Sequence, residues 1–362
     1  MVNEKLNKYV CKHPFNYLDV QPYHAYICCP SWCPKSIRDD GSHEISWDSE
    51  NAVEIRKSVL DGSYKYCDHQ VCPSLNTLIN TPEVPSVFVE KDKFYEQHNI
   101  KSIEDVEKII SGPEYILFGF DYSCNFRCPS CRKNLIPNDE EDSFEYQNKL
   151  KTLKKIEDKF SNTIKEIMIT GSGDPFYSKI YRDYLINFDE SKYPNLEQIK
   201  IITNGRLLTK KMWESLKAKK YIKHIEISID AGCKETYENK TRLGGDWQIL
   251  LDNLNFISTL DTVKNFTASF VVSELNYKEM YTFYKIINDI FIKSKIDYNI
   301  FFSQHVFWPN AAYTQSEVEN ISVFDINHPL FDDFLNELQK IHGVKEIHHN
   351  FHHLISHFNK MI

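Results

Sequence analysis

Six apolar segments that alternate with amphipathic segments constrain the fold of this chain most. The apolar segments are rich in Ile, Val, Phe and Tyr, which predicts β-strands. They are YILFGFDYS, EIMITGS, QIKIITN, HIEISID, TASFVVS and DYNIFFS, between residues 115 and 303. Because parallel strands need crossover connections, six β-then-α units predict a parallel sheet that is covered on both faces or curled on itself.

The segments between the predicted strands have the spacing of amphipathic helices. They are EYQNKLKTLKKIEDKF, TKKMWESLKAKK, WQILLDNLNFISTL and YKEMYTFYKIINDIFI. In the last of them Met280, Phe283, Ile287 and Ile290 recur at three- and four-residue intervals, which predicts one buried stripe. The sequence therefore predicts an α/β fold built on a parallel sheet.

The loops after the predicted strands are the first candidates for a functional site, because parallel α/β folds carry their sites at the carboxyl ends of the strands. After the first strand comes CNFRCPSC, residues 124–131, and after the second comes GSGDPF, residues 171–176. Asn204 follows the third strand and Asp230 ends the fourth. We expect these loops to converge on one edge of the sheet.

Three cysteines in CNFRCPSC, namely Cys124, Cys128 and Cys131, have the spacing of metal ligands. A [4Fe–4S] cluster is held by thiolates, one per iron, so three cysteines leave one iron open to a further ligand. Zinc is the alternative, because Cys128 and Cys131 have the C-x2-C spacing of zinc sites, although Cys124 spoils a paired arrangement. The spacing favours a cluster and leaves zinc open.

Charge and cysteine content indicate the compartment and the class of partner. The 362-residue chain has a formal net charge of −8, which argues against broad electrostatic binding of nucleic acid. It has no apolar run approaching the ~20 residues of a membrane span, and its first residues lack the apolar stretch of a secretory signal. The sequence therefore predicts a cytoplasmic protein without nucleic-acid or membrane partners. Ten cysteines in a reducing compartment indicate metal or redox chemistry rather than disulfides.

The C-x3-C-x2-C motif after the first strand of a parallel α/β fold resembles the radical S-adenosylmethionine (SAM) superfamily. The resemblance implies a partial (βα)6 TIM-like barrel in which Cys124, Cys128 and Cys131 bind a [4Fe–4S] cluster and SAM chelates the fourth iron. It also implies reductive cleavage of SAM to methionine and a 5′-deoxyadenosyl radical, which abstracts hydrogen from a substrate C–H bond. A flavodoxin- or ferredoxin-type electron donor is implied as a partner.

Two later motifs resemble the SAM-binding motifs of this superfamily. The segment GSGDP resembles the glycine-rich motif that binds the methionyl amine, with Asp174 where glutamate is commoner. Its residues are Gly171, Ser172, Gly173 and Asp174. The segment SID resembles the ribose motif, because Ser228 and Asp230 alternate on one strand and would face a ribose diol together. Asn204 is a further candidate for the same pocket, although Asn-Gly is also a common turn.

The cysteine loop departs from the superfamily pattern at one position. Many members have an aromatic residue just before the third cysteine, where it packs on the adenine of SAM. This chain has Ser130 there, so Phe126 or Tyr122 is the candidate for the adenine contact.

The first 72 residues carry six cysteines in a loop-rich setting, which predicts a metal-stabilised segment. The six are Cys11, Cys28, Cys29, Cys33, Cys67 and Cys72. Their pattern, with YICCPSW, a helix over AVEIRKSVLDG, and YCDHQVCPSL, resembles the auxiliary-cluster domains of radical SAM enzymes, called SPASM or twitch. By spacing we select Cys11, Cys28, Cys67 and Cys72 as ligands of one auxiliary [4Fe–4S] cluster. Cys29 and Cys33 are alternatives, and a second cluster or a zinc-stapled module stays open.

These patterns predict four segments. Residues 1–80 form the SPASM/twitch-like auxiliary domain, and residues 81–112 form a connector whose prolines break regular elements. Residues 113–310 form the radical SAM core, and residues 311–362 form a helical extension.

Three further features are not assigned to the cofactor site. The segment IHHNFHHLISHF is interpreted as an amphipathic terminal helix rather than a zinc or nickel site. Its histidines are His348, His349, His352, His353 and His357. Cys233 is interpreted as a passive thiol. Gln304 and His305 follow the sixth strand, where either a substrate contact or a structural hydrogen bond is compatible with the sequence.

The sequence as a whole predicts an oxidoreductase-like radical SAM enzyme that oxidises or rearranges a small molecule or sugar. Because cysteines occupy the N-terminal segment, we expect no separate leader-peptide recognition domain, which favours a small substrate. Radical modification of a peptide or protein is the alternative. A zinc-stapled binding protein without catalysis is a more remote one.

Overall fold

The computed structural model of the chain describes residues 4–38, 44–109, 112–170, 172–309, 311–351 and 354. The chain divides into two compact units. The first consists of residues 1–121, 140–168 and 189–197, and the second of residues 122–139, 169–188 and 198–362. In the described part, no helix combines the length and the apolar composition that crossing a membrane requires.

The first unit combines short helices with short strands. Its helices are α1 (Glu4–Lys8), α2 (His13–Asn16), α3 (Glu50–Leu60), α4 (Pro73–Asn80), α5 (Lys91–Gln97) and α6 (Phe144–Phe160), with 3-10 turns at Ile103–Ile109 and Glu190–Lys192. Its strands are β1 (Tyr9–Cys11), β2 (Tyr17–Val20), β3 (Ala25–Tyr26), β4 (Phe88–Glu90), β5 (Tyr115–Phe118) and most of β6 (Glu166–Ile169). Strand β2 pairs in parallel with β5 and antiparallel with β3, while β1 and β4 form an antiparallel pair.

The second unit carries the longer strands. They are β7 (Gln198–Thr203), β8 (Ile222–Ser228), β9 (Asn265–Val272), β10 (Asp297–Gln304) and β11 (Ile347–His349). Its helices are α7 (Lys179–Ile186), α8 (Lys210–Ser215), α9 (Lys234–Thr236), α10 (Trp247–Ile257), α11 (Met280–Phe291), α12 (Gln315–Asn320) and α13 (Phe331–Ile341), with 3-10 turns at Lys217–Lys220 and Tyr277–Glu279 and a π turn at Tyr237–Thr241. Neighbouring strands pair in parallel in the sequential order β7-β8-β9-β10-β11.

The protein is therefore a mixed α/β structure with a large, mostly parallel sheet, as the sequence predicted. All six predicted strands are present as β5 to β10, and a sequential order of parallel strands is that of a barrel wall. The buried stripe of α11 contains Met280, Phe283 and Ile287 as predicted, but its last member is Phe291 and not Ile290. A four-residue step keeps Phe291 on the same helix face as Ile287.

The segment between residues 81 and 112 contains regular elements, in contrast to the irregular connector expected from its prolines. Strand β4 and helix α5 begin after the last of these prolines. Phe88 and Phe94 from these elements pack with Val10, Tyr64 and Val106 in one buried hydrophobic cluster of the first unit. The prolines therefore precede the strand and the helix of this segment, and these two elements contribute to the core.

The C-terminal histidine segment begins as a strand, so the expectation of a helix is wrong over its first residues. His348 and His349 lie in β11, which pairs in parallel with Phe301 and Phe302 of β10. His349 is buried, and it lies near the ring of Phe351. The predicted positions His352, His353 and His357 lie outside the described residues. Backbone pairing with β10 decides the conformation here, and it overrides the helical spacing of the apolar residues.

A buried carboxyl on β2 makes the stability of the first unit depend on pH. Burial raises the pKa of Asp19 to about 6, against the opposing hydrogen bond that Gln21 Nε2 donates at 2.6 Å. Because the folded state then binds the proton more tightly than the unfolded state, we expect the free energy of unfolding to fall by about 3 kcal/mol as pH rises from about 4 to about 6. Denaturant unfolding at several pH values in this range measures the slope of the free energy of unfolding against pH.

The Asp19→Asn variant should lack this part of the slope, because it carries no proton to titrate. Asp261→Asn, at an exposed position, is the matched control and should keep the slope of the native protein. An unchanged slope in Asp19→Asn would contradict the assignment to Asp19.

Candidate functional site

The loop that carries Cys124, Cys128 and Cys131 belongs to the second unit. The backbone N–H of Cys124 donates to the carbonyl of Ile136 at 2.9 Å, which closes the loop. The N–H of Cys131 donates to the carbonyl of Cys128 at 3.0 Å, so the last two cysteines share one turn. Cys124 and Cys128 are buried, and Cys131 is exposed. The loop is therefore held by its own backbone rather than by the thiols.

Each of the three sulfur atoms receives at least one N–H donor. The donors are Asn204 Nδ2 at 3.8 Å and Phe126 N at 3.4 Å to Cys124, Arg242 Nη1 at 3.6 Å to Cys128, and Arg132 Nη2 at 3.4 Å to Cys131. Two of these donors are guanidinium groups, whose charge favours a thiolate. Hydrogen bonds to ligand sulfurs also tune the metal centre that the sulfurs hold. The surroundings of the thiols therefore suit thiolate ligands.

The two buried thiols would need a positive charge beyond that of the arginines in order to ionise. Burial raises the pKa of Cys124 to about 12, and the charge of Arg132 opposes this shift. Burial also raises the pKa of Cys128, which Arg242 opposes. A bound metal centre would supply that charge, because metal ligation requires the thiolate and releases its proton.

The number of thiols bears on which metal centre the loop could hold. In the part of the chain that the structure describes, no group of three or more His, Cys, Asp or Glu side chains is found that could hold one metal ion. Structural zinc sites have four protein ligands, whereas three thiolates on a [4Fe–4S] cluster leave one iron open to a further ligand. The donor set of three thiols suits such a cluster, and the assignment stays a prediction.

The glycine-containing loop after β6 is held by Thr170 and by Arg132. Thr170 has a positive φ of 56°, which is rare for a β-branched residue. Its Oγ1 accepts the N–H groups of Ser172 at 2.7 Å and Gly173 at 2.9 Å. Arg132 Nη2 donates to the carbonyl of Ser172 at 2.6 Å, so one guanidinium joins this loop to the cysteine loop. Gly171 lies outside the described residues.

Asp174 has a different environment from the one that the sequence predicted. Its side chain is fully buried, and its two oxygens accept four hydrogen bonds, which occupy the lone pairs of a carboxylate. The donors are Phe176 N at 3.0 Å, Tyr177 N at 3.1 Å, Thr203 Oγ1 at 2.7 Å and Asn204 N at 3.0 Å. The carboxylate therefore ties the loop to the end of β7, and its contact with the amine of SAM stays a prediction.

Asn204 contacts the cysteine loop, and its place in a ribose pocket stays a prediction. Its Nδ2 donates to Asn125 Oδ1 at 2.8 Å as well as to the sulfur of Cys124. Its Oδ1 accepts the N–H of Arg206 at 3.0 Å, which fixes the orientation of the amide. The turn at Asn204 therefore positions an amide N–H donor for the sulfur of Cys124.

The sequence predicted that Ser228 and Asp230 lie on the same face of one strand, and the structure does not have this arrangement. Strand β8 ends at Ser228, and Asp230 has a positive φ of 56°, so the alternation of an extended strand stops before it. The carboxylate of Asp230 pairs with Arg242 at 2.6 Å and accepts the N–H of Val271 at 2.7 Å. Burial raises the pKa of Asp230, and the charge of Arg242 opposes that shift. The carboxylate therefore serves mainly to hold Arg242.

Arg242 is buried between Asp230 and Cys128. Its Nε–H has no acceptor among the described residues, although the side chain is buried. Buried N–H groups are rarely left without a partner, so this one remains for a group bound next to Cys128. This unpaired N–H, together with the N–H donors around the three sulfurs, fits a cofactor at the cysteine loop.

Phe126 does not present a free face to a ligand. Its side chain has no exposed surface, and its ring meets the ring of Tyr237 edge-on at 6.4 Å. It therefore packs in the core, and the adenine contact stays a prediction. Its backbone N–H is what reaches the site, through the sulfur of Cys124.

Five cysteines of the first unit line one pocket. They are Cys11, Cys28, Cys33, Cys67 and Cys72. Four of them are the auxiliary ligands selected from the sequence, and Cys33 is the fifth. Cys72 is also the N-cap of α4, where its sulfur accepts the N–H of Leu75 at 3.5 Å. The pocket contains more thiols than one cluster needs.

Burial disfavours the ionised form of most of the thiols that line this pocket. Among the described residues, no Lys, Arg, Asp or Glu lines it. Burial raises the pKa of Cys11 to about 12 and also raises the pKa values of Cys28 and Cys72. A hydrogen bond between Cys33 and Cys67 lowers the pKa of Cys33 and raises that of Cys67. A metal centre bound here would supply the positive charge that thiolate ligands need.

Sequence reasoning missed several residues that build the site. They are Asn125, Arg132, Thr170, Thr203 and Arg242. Arg132 directly follows the third cysteine, and this adjacency was the one available signal. No local pattern joins Arg242 to Cys128, because the two are brought together only by the fold.

Comparison with known proteins agrees with this geometry. The sequence model of the Radical SAM superfamily matches residues 121–287, which include the cysteine loop, the glycine-containing loop, Asp230 and Arg242. A search of curated proteins finds no match to the chain. Residues 121–287 are therefore a radical SAM superfamily domain.

Proposed function

We propose that the chain is a radical SAM enzyme that abstracts hydrogen from a C–H bond of a small molecule or sugar and thereby oxidises or rearranges it. The observation that carries the proposal is the arrangement of three cysteine sulfurs and their N–H donors in the radical SAM domain of residues 121–287. Three sulfurs, each with an N–H donor, provide ligands for three irons and leave the fourth to SAM.

The side chains around the loop bind and orient the cofactors. When bound, the cluster and SAM together supply the 5′-deoxyadenosyl radical. Cys124, Cys128 and Cys131 are the proposed cluster ligands, and Arg132 and Arg242 donate to two of their sulfurs. Asp174 holds the turn that positions Asn204, so its effect on SAM is indirect. Ser172, Gly173 and Gly171 offer backbone groups to SAM, as the resemblance implies, and Ser228 remains the candidate for the ribose.

We further propose an auxiliary [4Fe–4S] cluster in a SPASM/twitch-like domain over residues 1–80. Its support is the pocket that Cys11, Cys28, Cys67 and Cys72 share with Cys33. A cluster there could bind the substrate or accept its electron, which would make the reaction an oxidation. Oxygen-sensitive clusters and free thiols suit a reducing cytoplasm, and a flavodoxin- or ferredoxin-type protein is the proposed electron donor.

Anaerobic purification tests the cofactor content directly. Two [4Fe–4S] clusters predict about eight iron and about eight sulfide per chain, with the broad visible absorption of iron–sulfur proteins. Incubation with dithionite and SAM should then yield 5′-deoxyadenosine and methionine. Zinc without sulfide would refute the proposal and leave a zinc-stapled binding protein.

Removing the auxiliary ligands should separate the two clusters. We expect the double variant Cys67→Ala/Cys72→Ala to retain about four of about eight irons, because the cysteine loop of residues 124–131 keeps its ligands. Formation of 5′-deoxyadenosine without substrate should persist, while turnover of a substrate should be lost. Iron analysis and product assay measure the two effects.

Cys233→Ala is the control for this variant, because Cys233 is an exposed thiol that lines neither cysteine site. It should keep the full iron content. Loss of all iron from the double variant would contradict two independent clusters.

A further inference from the structure

The cysteine pocket of the first unit has one thiol more than a single cluster uses. It holds about 440 Å³ of space, part of it open to solvent. Two of its thiols, Cys33 and Cys67, share a hydrogen bond, so their sulfur atoms are in contact. The additional thiol, Cys33, therefore lies directly beside one of the four cysteines selected as cluster ligands.

The backbone holds Cys33 and Cys67 side by side. The N–H of Asp68, which follows Cys67, donates at 2.7 Å to the carbonyl of Trp32, which precedes Cys33. Neither cysteine lies in a helix or a strand, so their side chains can approach each other without breaking a regular element. A disulfide has an S–S bond of about 2.0 Å, so sulfurs in hydrogen-bond contact need to approach by only about 2 Å to form one.

The two sulfurs differ in their access to solvent. Cys33 is 1 % exposed, whereas Cys67 is half-buried. A small oxidant in solution therefore reaches the sulfur of Cys67, and the buried thiol of Cys33 is in contact with that sulfur. An accessible cysteine beside a second thiol that can complete the bond is typical of a pair that closes within one chain.

We propose that Cys33 and Cys67 form a reversible disulfide when the pocket holds no metal. The oxidant is a low-molecular-weight disulfide such as oxidised glutathione. Its S–S bond breaks, an S–S bond forms between the two cysteines, and the two thiol protons pass to two molecules of reduced glutathione. Two electrons thus move from the protein thiols to the small disulfide, and an excess of a small thiol reverses the reaction.

The disulfide and a metal centre compete for one sulfur. Cys67 is a proposed ligand of the auxiliary cluster, and a sulfur in a disulfide has no thiolate to offer a metal. This competition rests on the proposed function, whereas the disulfide itself does not. The pair keeps Cys67 recoverable after loss of the cluster, because a disulfide is reduced back to thiols and a sulfonic acid is not.

The test compares the full chain with and without its iron. One sample is purified anaerobically with its iron, and the other is freed of iron by a chelator. Both are incubated with oxidised glutathione, and the remaining thiols are blocked with N-ethylmaleimide. Mass spectrometry of the unreduced digest should show Cys33 linked to Cys67 in at least about half of the iron-free chains, and at least about tenfold less often in the iron-loaded chains. Dithiothreitol should release the linkage.

Two variants assign the linkage to this pair. Iron-free Cys33→Ser should lose the linkage, because its hydroxyl forms no disulfide. Cys29→Ala is the matched control and should keep the linkage, because Cys29 lies on the same turn as Cys33 but does not line the pocket. Fragmentation of the linked peptides from the native chain identifies the two joined cysteines even if Cys33→Ser does not fold.

Three results would overturn the inference. They are an iron-free native chain without the linkage, linkage of Cys67 to Cys28 or Cys72 in its place, and equal linkage with and without iron in a chain that holds both clusters. A native chain with only about four irons would instead refute the proposed auxiliary cluster. The iron-free sample would still test the disulfide in that case.

Discussion

The Cys128→Ala variant is expected to form 5′-deoxyadenosine at less than about one thousandth of the native rate, because a cluster without one of its three protein ligands is not retained. Cys128 is buried, and its sulfur receives the guanidinium of Arg242 at 3.6 Å. No neighbouring cysteine of the loop can replace it without moving the turn that Cys128 and Cys131 share. Product assay with dithionite and SAM measures the rate, and iron analysis should show about four irons remaining per chain.

The exposed thiol of Cys233 provides the control for this experiment. Cys233 belongs to the same unit, and its Sγ contacts Thr236 Oγ1 at 3.6 Å and Glu279 Oε1 at 3.4 Å. Cys233→Ala should keep both the rate and the iron content. A Cys128→Ala protein with native activity would show that the cysteine loop does not hold the reactive cluster.

The Arg242→Met variant is expected to lose about 3–5 kcal/mol in the free energy of unfolding at neutral pH, because it leaves the buried carboxylate of Asp230 without its partner. The pair is 2.6 Å apart, with about a tenth or less of either side chain exposed. Burial raises the pKa of Asp230 against the charge of Arg242, so removing that charge raises the pKa further. The folded variant then binds the proton more tightly, and its stability should fall as pH rises. Denaturant unfolding at about pH 4 and pH 7 measures both effects.

Two further variants distinguish the effect of the unpaired Asp230 carboxylate on the free energy of unfolding from other effects of the substitution. Arg242→Met/Asp230→Asn should regain part of the stability, because no buried carboxylate then lacks a partner. Lys278→Met breaks a pair with Asp333 at 2.9 Å in the same unit, where the lysine side chain is 64 % exposed. That control should cost no more than about 1 kcal/mol, since exposed pairs contribute little. An equal loss in both single variants would contradict the account of Arg242.

The main strands and helices were predictable because each carries its own periodic signal. Strands β5 to β10 and helices α6, α10 and α11 appear where the apolar pattern placed them. Strands β2, β3 and β11 were missed, because these short segments lie outside the alternating pattern of apolar and amphipathic segments. Strand β2 pairs with β5, β3 pairs with β2, and β11 pairs with β10, and a local pattern does not contain such pairing.

The candidate site was predictable in its ligands but not in the groups around them. The spacing of Cys124, Cys128 and Cys131 is local, so the sequence displays it directly. The hydrogen bonds of Asp174 and the ion pair of Asp230 could not be predicted, because buried carboxylates take whatever donors the fold brings within reach. Likewise, only the structure shows that His305 is buried, with neither ring nitrogen paired among the described residues.

The amino-acid sequence by itself determined the α/β pattern, the three-cysteine motif and the abundance of cysteines before the sheet. These features depend on the spacing of residues along the chain, and spacing is preserved in the sequence. Only the tertiary structure decided that Arg242 joins Asp230 to Cys128 and that Cys33 lines the same pocket as the four selected cysteines. It also decided that His305 is buried, without a partner for either ring nitrogen among the described residues. Contacts of this kind join residues that are distant in sequence, so they arise from packing and carry no local signal.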